Sequence, residues 1–317
     1  MAANWMRRTA LVAACASAML LAACGSSTTE SAITPNRFIA FGDAFSDAGQ
    51  TGSRYTVNNG TVNNWTVQLA SRYGKTVAPV STGGLSYAQG NARVSSKPDA
   101  AGNASTPTIT EQIDSFLASK AFEPNDIAVV NGGISDLIVG MAAVQAGTLS
   151  SADFVAQAKQ SGQALAAQVR RLVNAGAPHV LVAGTYDLSK TPWAVDIKQE
   201  SLLADASLRF NDGLLIALND LGNKVLYVDA AYYVNLYTSV PGAYFFTNAA
   251  DPVCTSVDAG NGIGIGTGQV NSALCTASTL VSGANVDAYV FADKVYLSPS
   301  AHRQFGNYAY DKLRARW

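Results

Sequence analysis

Charge is scarce in this chain. Of its 317 residues only 14% are Asp, Glu, Lys or Arg, and the formal net charge is -1. No basic stripe runs through it, which excludes nucleic acid as a partner, because phosphate binding needs clustered Lys and Arg. Histidine is scarcer still, with His179 and His302 the only two. Chemistry that rests on an imidazole base therefore has two candidates. A long apolar run is also missing. The stretch 11–23 is apolar, but too short for a comfortable membrane-spanning helix. Cysteine occurs four times, at Cys15, Cys24, Cys254 and Cys275.

What is present suits an exported protein. Hydrophobic residues make up 48% of the chain, enough for one large α/β domain with its own core. Ala, Gly, Ser, Thr and Asn fill much of the remainder. Arg7 and Arg8 precede the apolar stretch, which ends in Leu21-Ala22-Ala23-Cys24-Gly25. This ending is similar to the bacterial lipobox, in which the cysteine is lipidated and becomes the new N-terminus. Ordinary secretory cleavage at the small residues is the alternative. The expected organisation is a signal peptide over 1–23, a lipidated N-terminus at Cys24 with a flexible Ser/Thr-rich tether to 36, and one domain over 37–317. The expected location is the bacterial cell envelope, at the outer membrane or periplasmic face, since Gly25 and Ser26 include no inner-membrane retention aspartate. The membrane contact expected is through the N-terminal lipid only.

With Cys15 leaving in the signal and Cys24 carrying lipid, Cys254 and Cys275 remain as an even pair in an oxidising compartment. They bracket a loop rich in Gly, Asn and Ser. A disulfide there would stabilise by roughly 3 kcal/mol on the chain-entropy estimate. Two free thiols are the alternative. The glycines between Gly260 and Gly266 alternate without matching Gly-x-Gly-x-x-Gly, and no strand feeds them, so no phosphate cradle is expected.

Apolar runs at 38–41, 127–130, 179–184 and 225–229 alternate with helical patterns at 63–73, 110–118, 152–175, 197–221 and 300–316. The stretch 83–93 is glycine-rich and aromatic, and the polar stretch 95–108 reads as a loop. Continuous apolar strands between helices are the mark of a parallel sheet covered on both faces. No repeat and no second domain are visible.

The first strand runs into Gly42-Asp43-Ala44-Phe45-Ser46-Asp47. This block resembles the first block of the GDSL (SGNH) lipases and esterases, which reads Gly-Asp-Ser-Leu-Ser-Asp. Further blocks follow in order, so the resemblance covers the domain from about residue 37 onward. They are Gly90 within Tyr-Ala-Gln-Gly-Asn-Ala-Arg, Gly133-Ile134-Ser135-Asp136, and Asp293-Lys294-Val295-Tyr296-Leu297. The resemblance implies a flavodoxin-like three-layer α/β/α sandwich with a mainly parallel sheet, an ester-hydrolase ancestry, no cofactor and no metal.

The chemistry is where the chain departs from that pattern. Ester hydrolysis needs a hydroxyl nucleophile, a base, a carboxylate to orient the base, and oxyanion donors. Ala44 stands at the nucleophile position. Ser135 stands where the family has its oxyanion asparagine, and Tyr296 where it has the base histidine. Gly90, whose N–H serves the oxyanion, and Asp293, the orienting acid, are retained; glycine at 90 also suits a simple turn. Asp136 reads as a structural hydrogen-bonding residue. A tyrosine with an ordinary pKa near 10 is a poor proton acceptor at neutrality. Ser46 or another serine could stand in as nucleophile and His302 as base. His302 matches a non-catalytic histidine of the last helix, and His179 reads as a strand-edge residue.

Three functions fit these residues. The first is a non-catalytic binding protein, with Asp43, Gly90, Ser135, Asp293 and Tyr296 around a small acyl-ester or acetylated-glycan ligand. The second is a weak or altered esterase improvised from Ser46 or another serine with His302. The third is a structural or partner-binding lipoprotein. Oligomeric state and protein partners are open.

Overall fold

The computed structural model describes residues 33–317. The expected signal peptide, the expected lipidation at Cys24 and most of the expected tether fall outside the described residues. Among those described, no helix is long and apolar enough to cross a membrane.

Four parallel strands form the central sheet in the order β1 (Phe38–Phe41), β2 (Ile127–Asn131), β3 (His179–Ala183) and β4 (Val225–Tyr227). The first two are buried along their whole length, as unbroken apolar runs require. A fifth extended segment, 85–89, runs beside β1 on its outer side. Ala40 N donates to Leu85 O at 3.1 Å, Tyr87 N to Ala40 O at 2.7 Å and Gln89 N to Gly42 O at 3.1 Å. The sequence reading assigns no strand here; Gly83 and Gly84 lie just ahead of the paired residues. Its carbonyls are covered from outside: Gln50 Nε2 donates to Ser86 O at 2.6 Å. Chain order thus reverses between β1 and β2, which makes the C-terminal ends of those strands the crevice where open α/β sheets place ligands.

Helices α1 (Trp65–Ser71), α2 (Ile109–Ser119), α3 (Ile134–Gln145), α4 (Ser151–Asn174), α5 (Pro192–Ile197), α6 (Glu200–Leu218), α7 (Ala230–Ser239) and α8 (Pro299–Arg316) cover the sheet. Strand parity shows that both faces are covered. Phe41 meets Phe116 of α2, with ring centroids 5.7 Å apart. Phe38, of opposite parity, meets Tyr73 after α1, and Tyr73 meets Tyr310 of α8. This is the three-layer α/β/α arrangement. Helices α4 and α6 cross closely because Gly162 lies against the Phe210 carbonyl, where a Cβ would overlap it.

Four helices differ from the sequence reading. The helix expected over 197–221 begins at Glu200, and α5 stands separately before it. Thr191 caps α5, Pro192 opens it, and Lys198 at φ 55° ends it. Helix α3 was not anticipated, because it is apolar almost all round and follows Gly132-Gly133. Helix α7, capped by Asp229, was not anticipated either. A small second sheet pairs β5 (Asn248–Pro252) with β6 (Tyr289–Phe291). Beside it Cys254 and Cys275 form a disulfide with Cα atoms 5.8 Å apart.

Candidate active site

The turn at the end of β1 is held from several directions. Gly42 N donates to Gln112 Oε1, and Gln112 Nε2 donates to Gly42 O, both at 2.9 Å. A side-chain amide here does the work of a neighbouring strand. A Cβ on Gly42 would overlap the Asn131 side chain. Asp43 Oδ1 accepts from Asn131 Nδ2 at 2.7 Å and Phe45 N at 3.0 Å. Its Oδ2 has no partner. Asp43 is fully buried, and burial pushes its carboxyl up to about 6. Ser46 N closes the turn onto Asp43 O at 3.1 Å.

This turn presents Ala44, with its methyl 1% exposed. Ser46 does not replace the missing hydroxyl. It is wholly buried and accepts Trp65 Nε1 at 3.0 Å. Phe45 between them packs against Trp65, Tyr186, Phe305 and His302.

Gly90 is buried, and its N–H is engaged. It donates to Asp47 Oδ2 at 2.8 Å, while Asp47 Oδ1 accepts from Gly49 N and Gln50 N. The amide that would steady an oxyanion thus already steadies a carboxylate. Above it lies Tyr55, whose ring a Cβ on residue 90 would strike. Tyr55 and Asn91 went unnoticed in the sequence, for neither sits in a periodic pattern. Asn91 has left-handed backbone, φ 63°, and its Nδ2 donates to Gly262 O of the disulfide loop at 3.0 Å. A non-glycine residue held at positive φ is an observation only coordinates supply.

Ser135 sits in the first turn of α3, wholly buried, its hydroxyl without a partner. Asp136 beside it accepts Val94 N at 3.0 Å and pairs with Arg93 at 3.4 Å, so it ties α3 to the stretch after Gly90.

Asp293 faces its own turn. Oδ1 accepts Val295 N at 2.8 Å and Tyr296 N at 2.6 Å, and Oδ2 accepts Ser272 N at 3.1 Å. Burial raises this carboxyl also to about 6. Tyr296 is wholly buried, its ring edge-on to Tyr55 at 5.5 Å and its hydroxyl without a partner. Burial drives the phenol well above its usual 10, and the carboxylates of Asp43 and Asp293 add to the effect. It stays protonated and cannot take up a proton. His302 is buried against Phe45, which pushes its imidazole down to about 3. His179 starts β3, at the opposite edge of the sheet, with its ring against Trp317.

The fold therefore brings Asp43, Ala44, Tyr296 and Asp293 together and sets Gly90 under Tyr55, but it leaves their side chains inside. Asp43, Ser135, Asp293 and Tyr296 are all 0% exposed. Among the described residues, no group of three or more His, Cys, Asp or Glu is placed to hold a metal ion.

The chain belongs to the GDSL-like lipase/acylhydrolase family, whose model matches residues 38–309. The solved structure of the native M. smegmatis aryl esterase is similar to it at 13% identity and TM-score 0.47, over 89% of this chain and 99% of that one. Two other crystal structures match with TM-scores of 0.46 and 0.45 at 13% and 15% identity, each over 89% of this chain and 98% of the other. No curated protein matches it.

Proposed function

We propose that this chain is a catalytically silent GDSL-family protein, a bacterial envelope lipoprotein anchored through Cys24, which keeps the family scaffold to bind an acyl-ester or acetylated-glycan ligand. One observation carries the silent reading. The Gly90 N–H is bonded to Asp47 beneath the Tyr55 ring, next to a turn whose tip is the methyl of Ala44. Nucleophile, oxyanion donor and base are thus missing together. In a serine protease, loss of nucleophile or base alone costs about a millionfold in turnover. The substitutes do not restore it: Ser46 is buried under Trp65, and His302 is a neutral, buried imidazole packed on Phe45.

Two measurements test this. The full chain incubated with a fluorophosphonate probe and with p-nitrophenyl acetate is expected to take up no label and to leave ester hydrolysis at its background rate. A serine adduct seen by mass spectrometry would refute the silent reading. Palmitate incorporation in a bacterial host, abolished by Cys24→Ala, is the expected sign of the anchor.

A further inference from the structure

Next to the filled strand ends lies an open cleft of about 500 Å³, within the range of small-ligand sites. It runs between the segment 85–89 and helix α2. Its floor is Tyr87 and Gln112, both more than nine-tenths buried. The frame around it is rigid. Gln112 is bonded at both ends of its amide to Gly42. Gln50 reaches Ser86 O with Nε2 and accepts Ser81 N with Oε1. A cleft already fixed in shape loses little entropy when a ligand enters it.

The lining is electrically balanced. Lys97 Nζ and Glu111 Oε1 are 2.9 Å apart, and no other charged side chain faces the cleft. An anionic or cationic ligand would bury its charge without a counter-charge, which is costly. Apolar surface comes from Tyr87, Val80 and Pro107. Around it stand polar groups that are not used internally: among the described residues the Gln89 amide and the Thr51 and Ser115 hydroxyls have no side-chain hydrogen bond. An alkyl chain would cover these groups and strip them of water with nothing in return. A sugar ring meets both requirements. Its C–H face lies on apolar surface while its ring hydroxyls, donor and acceptor at once, bond amides and hydroxyls.

We infer that this cleft, and not the turn at Ala44, is the ligand site, and that it takes a neutral saccharide. The inference rests on the non-catalytic binding reading above and narrows its ligand from acyl ester to glycan.

Calorimetry on the full chain in detergent tests it, with N,N′-diacetylchitobiose, cellobiose, ethyl hexanoate and glucose 6-phosphate as probes. Expected is saturable binding of a neutral disaccharide and none of the ester or the phosphate. Ser115→Trp, at an exposed position, should fill the cleft and abolish binding. The pair Thr51→Ala and Gln89→Ala should weaken it at least about tenfold. Thermal melts check that each variant is folded. Disaccharide binding unchanged in folded Ser115→Trp would overturn the inference. So would binding of the ester alone, or binding lost in Tyr55→Ala but kept in Ser115→Trp; in both cases ligand binding by the scaffold would stand and this site would fall. Ester turnover by the natural chain, beside disaccharide binding that Ser115→Trp removes, would refute the silent reading and uphold the cleft. Failure of every probe to bind would end both.

Discussion

The strand ends and the neighbouring cleft share a wall, since Gln112 clamps Gly42 on one side and floors the cleft on the other. They differ in where their unmatched polar atoms lie. At the strand ends, Asp43 Oδ2, the Ser135 hydroxyl and the Tyr296 hydroxyl are buried and unpartnered. Around the cleft, the Gln89 amide and the Thr51 and Ser115 hydroxyls face open space. Buried unpaired polar groups cost about 1–3 kcal/mol each, whereas solvated ones cost nothing until a ligand covers them. On the silent reading proposed above, the first region is a reaction site over which aromatic rings have closed. The second has the composition of a site in use.

The sharpest way to break this contrast is to reopen the strand ends. The variant Ala44→Ser, Ser135→Asn, Tyr296→His supplies the missing groups, but Tyr55 still lies over Gly90. Ester turnover is expected to stay at background. Adding Asp47→Ala, which frees the Gly90 N–H, and Tyr55→Gly, which uncovers it, should raise the rate by about a hundredfold or more, the size of an oxyanion donor recovered. Equal rates with and without the Tyr55 change would mean that this ring is not the obstacle.

The next largest effect belongs to the disulfide loop, which reaches the strand ends through Ser272 N on Asp293 and Gly262 O on Asn91. Replacing Cys254 and Cys275 by serine should cost about 3 kcal/mol for a sequence separation of 21. Urea melts read it, and a loss of under 1 kcal/mol would show that the loop is held by its other contacts.

Burial of Asp43 predicts a pH effect of unusual sign. Its carboxyl ionises near 6 in the fold and near 3.8 when unfolded. Between those values the folded state holds more protons, so this group's contribution falls as pH rises from about 4 to about 6 and is level above. Asp43→Asn should therefore stabilise by about 2 kcal/mol at pH 7, with the gain vanishing near pH 4. A gain independent of pH would rule out the buried charge as its source. The smallest change is Tyr296→Phe, which keeps the ring against Tyr55 and deletes an unpaired hydroxyl. Stability should be unchanged or up by about 1 kcal/mol; a loss of that size would reveal a hydrogen bond.

Much of the layer order was legible because the cores of β2 and β3 are apolar runs that can only be buried, and because helices such as α2 carry their own start signals. Thr108 and Glu111 form a capping box there. That Ala44, Ser135 and Tyr296 depart from the family's short blocks was legible too; the loss of catalysis drawn from it is a proposal. The filling of the site was not. Asp47 meets Gly90 across 43 residues and Ser272 meets Asp293 across 21, and no local pattern encodes such pairings. Tyr55 lies in an irregular stretch where only coordinates reveal what the ring covers.

The segment beside β1 has one more consequence. Sheets that end in a bare row of acceptors invite strands from other molecules to add to them. Here the Ser86 carbonyl is taken from outside by both the Gln50 amide and the Val80 N–H. A strand arriving from another copy would find this acceptor already taken, which guards the sheet there against edge-to-edge addition.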